Sequence, residues 1–190
     1  GSVLVGSTLG SGSIDDVMTN AIMSADQAVS SDGVTFNTIN FDTQTQEPAS
    51  VTNPYNTTNK TYTVPVEAVN DGLVLTFNVR VAVYAADTLA QARLRIINTT
   101  TGDVIANNAS DDFINGIIAF PPTYPNTVKV FILSGTVSNP VAGHVYEVQA
   151  RGSESQILIE SNDGPSGGLN PAFFSVTQIP APFGGGFTVG

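Results

Sequence analysis

Few side chains in this sequence are of a type and spacing that does chemistry. Gly164-Pro165-Ser166-Gly167-Gly168 fits the G-x-S-x-G spacing that holds a nucleophilic serine on a sharp strand-to-helix turn. That arrangement needs a helix after the serine, then an acid and a histidine further along. Ser166 is followed instead by glycines, Asn170-Pro171 and a strand pattern, with no Asp or His beyond it. The match reads as chance in a Gly-rich loop. The single histidine, His144, follows a turn glycine at the start of a strand. A lone imidazole there reads as a surface or hydrogen-bonded group rather than a base or ligand. Cysteine is absent, which removes disulfides and thiolate metal sites. With no HExxH and no phosphate loop either, the chain is expected not to be an enzyme.

Oxygen-rich clusters remain. Calcium takes several oxygen ligands from a loop. Asp111 and Asp112 with Asn107 and Asn108, or Asp163 with Asn162, supply such oxygens; paired acids are equally read as solvated surface. No cofactor is expected, calcium being the one ion these residues leave open, and no EF-hand spacing is present. Asn56, Asn59, Asn98 and Asn108 each begin an N-x-S/T triplet, frequent by chance in a chain rich in Asn and Thr. A last candidate is the apolar, Pro-rich stretch 112–125. Its Phe113, Ile114, Ile117, Phe120 and Tyr124 either bind a target from a loop or pack on the protein's own surface.

Charge excludes whole classes of partner. Six Lys+Arg stand against 16 Asp+Glu, a net charge of −10. Nucleic-acid binding runs on clustered cations that neutralise phosphates, so no nucleic acid is expected, and an anionic membrane surface would repel the chain. No apolar run approaches a membrane span. Charged residues make up 12% of the chain, leaving Thr, Ser, Asn, Gln and Gly to build the surface. These side chains compete for backbone hydrogen bonds and suit exposed β structure better than helix.

The elements that must position these groups read as strands. Leu73 to Tyr84 alternates on a two-residue period. Leu73, Leu75, Phe77, Val79, Val81 and Val83 fall on one face, and Val74, Thr76, Asn78, Arg80, Ala82 and Tyr84 on the other. Further strand patterns, bounded by turn residues, cover 34–41, 62–66, 89–97, 128–133, 145–150, 156–160 and 173–179. The one plausible helix is Ile14 to Met23, with an extended reading of Ala21 to Val29 equally tenable. About ten short strands and almost no helix predict a single all-β sandwich or barrel. Residues 1–19 read as a flexible Gly/Ser-rich lead-in or the cut end of a stalk, with Gly1-Ser2 as a cloning remnant. Residues 20–180 read as the domain and 181–190 as a tail.

The order of motifs carries a resemblance. SADQAVSSDGVTFNTINFDT, TYTVPVEAVNDGLVLTFNVRVAV, NPVAGHVYEVQA and FFSVTQI follow one another as the strands of the C1q/tumour-necrosis-factor-like family do. The match spans roughly residues 24–179. It departs at His144, where the family usually has Asp, and at Leu73 to Leu75, which replace Gly-x-Tyr. The resemblance implies a ten-strand jelly-roll β-sandwich of two sheets, assembled as a homotrimer. It also implies that the Leu73 to Tyr84 strand lies beside Val145 to Ala150 in the sheet nearest the threefold axis. On that arrangement Thr76, Asn78, Arg80, Tyr84, Glu147 and Gln149 form the trimer interface. Arg80 then pairs with Glu147, on the adjacent strand or across subunits, or else stands solvated.

The expected function is a non-enzymatic head of a surface fibre or of a viral or phage spike, extracellular or on a cell or virion surface. It would attach to a cell-surface protein or glycan. The alternatives are a structural trimerisation cap or capsid-associated jelly roll without ligand, and a stand-alone carbohydrate-binding module. With no Trp and five Tyr, an aromatic sugar platform has little material.

Overall fold

A computed structural model describes residues 18–49, 51–70, 73–87, 89–108, 112–114, 127–162 and 171–180. Short strands come first: β1 (Thr19–Ile22), β2 (Gln27–Val29), β3 (Asn37–Thr38), β4 (Thr43–Gln46), β5 (Tyr55–Asn56) and β6 (Thr61–Thr63). A single helical turn, α1 (Val66–Asn70), follows Pro65, and Ala68 N donates back to the Pro65 carbonyl at 3.1 Å. Then come β7 (Leu73–Ala85), β8 (Gln91–Asn98), β9 (Val104–Asn107), β10 (Asp112–Phe113) and β11 (Thr127–Val137). β12 (Val145–Ser153), β13 (Ile157–Glu160) and β14 (Phe173–Pro180) complete the order.

The strands form two antiparallel sheets. In the first, β7 is the hub. β11 pairs along one of its sides, while β14 and β13 share the other end to end; β1 and β4 continue beyond β14, and β2 beyond β13. The second sheet runs β10-β8-β12-β6-β5, with β3 also on β12 and β9 also on β8. From β7 onward the chain crosses between sheets, from β7 to β8, from β10 to β11 to β12, and back to β13. Connections of that kind make a jelly-roll sandwich.

Alternation explains the core. Leu75, Phe77, Val79, Val81 and Val83 are each 0% exposed, on the inner face of the first sheet. From the second sheet Leu94, Ile96, Tyr146, Val148 and Ala150 meet them. Phe77 bridges the layers: its ring centroid lies 4.7 Å from that of Tyr146, 5.6 Å from Tyr62 and 6.2 Å from Phe174. Buried phenols are anchored. Tyr55 donates to the Phe41 carbonyl at 2.6 Å, and Tyr62 accepts from Gln178 Nε2 at 3.0 Å. At Gly152 the two sheets approach so closely that a Cβ would stand 2.9 Å from Ile157 Cγ1 and 3.1 Å from the Ser30 carbonyl.

Three expectations need correction. The described part of the Ile14 to Met23 stretch is strand, not helix, because β1 bonds to β14 on one side and β4 on the other. A helix that short has no stability of its own to set against two strand partners. Among the described residues the two-sheet jelly roll has fourteen strands where ten were expected, the surplus being pieces of two to four residues. Most consequentially, β7 and β12 are not neighbours: they lie in opposite sheets.

Candidate functional site

A two-sheet sandwich has two outer faces, and the sequence-derived site residues divide between them. Thr76, Asn78, Arg80 and Tyr84 all lie half-buried on the outer face of the first sheet. Directly paired antiparallel residues share a face, so the register gives their neighbours. Arg80 stands between Ile132 and Phe173, Asn78 between Ser134 and Ser175, Thr76 between Thr136 and Thr177, and Tyr84 between Val128 and Leu158. Toward Tyr84 the β11 ends of these rows, with Val130 opposite Ala82, are apolar and exposed, at 45% for Val128, 41% for Val130 and 74% for Ile132; Ser134 and Thr136 end the other rows. The same strand buries Phe131 and Leu133 inward. The result, among the described residues, is an aliphatic stripe on an edge strand, beside a face that carries Arg80 and Glu160.

Sequence reasoning located β11 but missed its stripe. Val128 to Leu133 is apolar at nearly every position, so its pattern does not tell the inner face from the outer. Two sheets that share one core each leave an outer face uncovered, so a strand apolar on both faces carries half of its apolar side chains outward.

Glu147 and Gln149 stand on the outer face of the second sheet, so they do not join Arg80 in one patch within the chain. Their arginine is a different one. Arg95 faces Gln149 across the ladder, and its Nε donates to Gln149 Oε1 at 2.8 Å. Gln149 Nε2 donates in turn to Glu147 Oε1, which also accepts from Thr38 Oγ1 at 3.2 Å. The Arg95 guanidinium lies 3.7 Å from the Phe36 ring centroid, with Arg151 at 5.0 Å. Burial, then the Arg151 and Arg93 charges, push the Arg95 pKa down, and Glu147 opposes them.

The loop candidates fare differently. Asp112 and Phe113 belong to β10, paired with Ala92 and Gln91. Ile114 is 2% exposed in the core, its N–H held by the Ala90 carbonyl, so it is a packing residue and not a binding one. Ile117, Phe120, Tyr124, Asp111, Asp163 and Ser166 lie outside the described residues. Among those described, no three His, Cys, Asp or Glu side chains gather as metal ligands would.

His144 has a partner: its Nδ1 lies 3.1 Å from Asn98 Nδ2, which also donates to the Tyr146 hydroxyl at 3.2 Å. Asn98 is 4% exposed and caps the turn after β8 by accepting from Thr100 N and Thr101 N. That burial leaves its amide no room for a glycan in the folded chain. Asn108 is similarly committed, accepting from Leu94 N and donating to the Ala92 carbonyl.

No protein-family model matches the sequence, and no curated protein does. Among solved structures, the tumour-necrosis-factor protein Eiger from S. frugiperda is similar at 13% identity and a TM-score of 0.44, over 87% of this chain and 94% of that one.

Proposed function

We propose that this chain is a non-enzymatic head domain that assembles as a homotrimer through the outer face of β7 and β11. The assembled head attaches to a cell-surface protein or glycan at the tip of a fibre, spike or surface filament. The observation that carries the assembly is the stripe Val128, Val130 and Ile132, exposed on an edge strand beside the Thr76 to Tyr84 face. Uncovered apolar edges are templates for unwanted pairing, and soluble domains manage them by covering them. A second copy is an occupant that arrives with every molecule synthesised.

The attachment role draws on a surface low in charge and rich in Thr and Asn, as an exposed tip would carry. The same stripe serves the alternative of a trimerisation cap with no ligand. Light scattering on the full chain tests the assembly: the wild type is expected at the mass of three chains and Ile132→Asp at the mass of one. A monomeric wild type at micromolar concentration sinks the proposal. Cell-binding and glycan-array assays on the wild type then separate attachment from cap.

A further inference from the structure

Away from β11, the most exposed large apolar side chains among the described residues are Val34, at 74%, and Leu89, at 60%. The same local device presents both. Asp32 Oδ1 accepts from Val34 N at 2.8 Å, and Asp87 Oδ1 accepts from Leu89 N at 2.9 Å. A carboxylate bonded to the backbone two residues on closes a tight turn, and in each turn the residue so held is the exposed aliphatic one.

Each turn is fastened to the sandwich. Asp32 bridges to Ser153, and Gly33 N donates to the Gly152 carbonyl at 2.9 Å. Leu89 is followed by Ala90, which is 0% exposed and whose carbonyl accepts from Ile114 N at 3.0 Å. The turns adjoin, because Ser153 pairs with Gln91 on one side and bridges to Asp32 on the other. Two ladder spacings set the strand ends that carry them about 10 Å apart. They lie at the end of the sandwich where β12 passes to β13, level with Ala85. β1 begins and β14 finishes toward the other end, that of Leu73.

We propose that this end of the sandwich, led by Val34 and Leu89, docks into apolar pockets of a basic protein partner. A single exposed aliphatic residue is ordinary on a protein surface, but two on adjoining, fixed turns make a paired projection. Val and Leu offer no hydrogen bond, so what they fit is an apolar pocket and not a sugar, which is held by hydroxyls, amides and aromatic faces. Fixed turns leave little backbone freedom to lose on contact. The net charge of −10 draws a cationic partner from a distance and repels an acidic one. This docking role rests on the attachment reading, in which the rest of a fibre joins at the Leu73 end and the Ala85 end leads. It narrows the target from protein or glycan to protein.

A phage-displayed random peptide library panned on the immobilised full chain supplies the probe, and calorimetry at low and high salt measures what is selected. Peptides that combine Lys or Arg with apolar residues are expected, and salt should weaken them. Val34→Ser and Leu89→Ser should each cost at least tenfold in affinity and together abolish binding, with melting temperatures unchanged because both positions are exposed. Val66→Ser, at an exposed position of α1, should change nothing. No selected peptide, equal binding by the double variant, or an equal loss in Val66→Ser overturns the proposal. Cell-binding and glycan-array assays on the same proteins keep the two readings apart. Cell or glycan binding that the double variant retains sinks this inference and leaves attachment standing. Peptides held by Val34 and Leu89 on a chain that binds neither cells nor glycans sink attachment and leave the docking surface.

Discussion

On the outer side of β11 the exposed positions hold Val128, Val130 and Ile132, then Ser134 and Thr136; on the outer side of β8 and β12 the half-buried positions include Arg93, Arg95, Glu147, Gln149 and Arg151. Both sheets keep the same inner rule, one apolar residue in every two, and both pack on the same aromatic layer around Phe77. The inner half of each strand is committed to the sandwich, so the outer half is where sheets can differ. One face is aliphatic along half of β11, and the other is polar, mixing arginines with Glu147 and Gln149.

The contrast predicts that both faces depend equally on the shared core. Phe77→Ala removes the ring that touches Tyr62, Tyr146 and Phe174 across the two sheets. It should cost about 3–5 kcal/mol in chemical denaturation and lower the trimer content. Full trimer content in that variant would show that the assembly face does not depend on the shared core.

A smaller effect is expected at the junction where β12 hands the chain to β13. Gly152→Ala drives a Cβ against Ile157 and the Ser30 carbonyl, at a cost of about 1–3 kcal/mol in the same measurement.

The smallest effect belongs to the turn before β3. Asp32 accepts from Val34 N, Thr35 N and Thr35 Oγ1, and these bonds, the Thr35 side chain first, hold its carboxyl well below the usual carboxylate range. The unfolded chain therefore takes up the proton first as pH falls below about 4. The contribution of Asp32 is present above that pH and lost progressively beneath it. Thermal melts from pH 7 to pH 2 should fall less steeply at the acid end for Asp32→Ala than for the wild type. Parallel curves would show that the turn adds nothing.

The buried half of the fold was legible and the outer half was not, for physical reasons. Leu75 to Val83 alternate strictly, and alternation reports burial directly. Which strand lies beside which is a long-range fact: Glu147 pairs by sheet membership, and nothing near residue 80 or 147 says that β7 and β12 belong to different layers. That is why Arg80 was assigned a partner that belongs with Arg95. Ile114 reads as loop because the stretch that follows it is apolar and Pro-rich, whereas a bond to the Ala90 carbonyl and a buried side chain fasten it into the core. The cluster around Phe36 left no sequence signal, since Phe36, Arg95 and Arg151 meet only once β8, β12 and the segment leading into β3 are laid side by side.

The pairing of β7 also has a consequence in time. Its side opposite β11 is closed mainly by β14, whose Phe173 to Pro180 register against residues 73–80, and β1 is bonded to β14 as well. During synthesis the ribosome delivers β14 after every other strand described. Until it arrives, the most apolar strand of the protein waits with an open edge, and β1 lacks one of its two neighbours. Such high contact order makes folding slow and leaves the nascent chain open to wrong partners. The first sheet is therefore completed after translation of β14, and a nascent chain stalled before Phe173 would be the form that needs a chaperone.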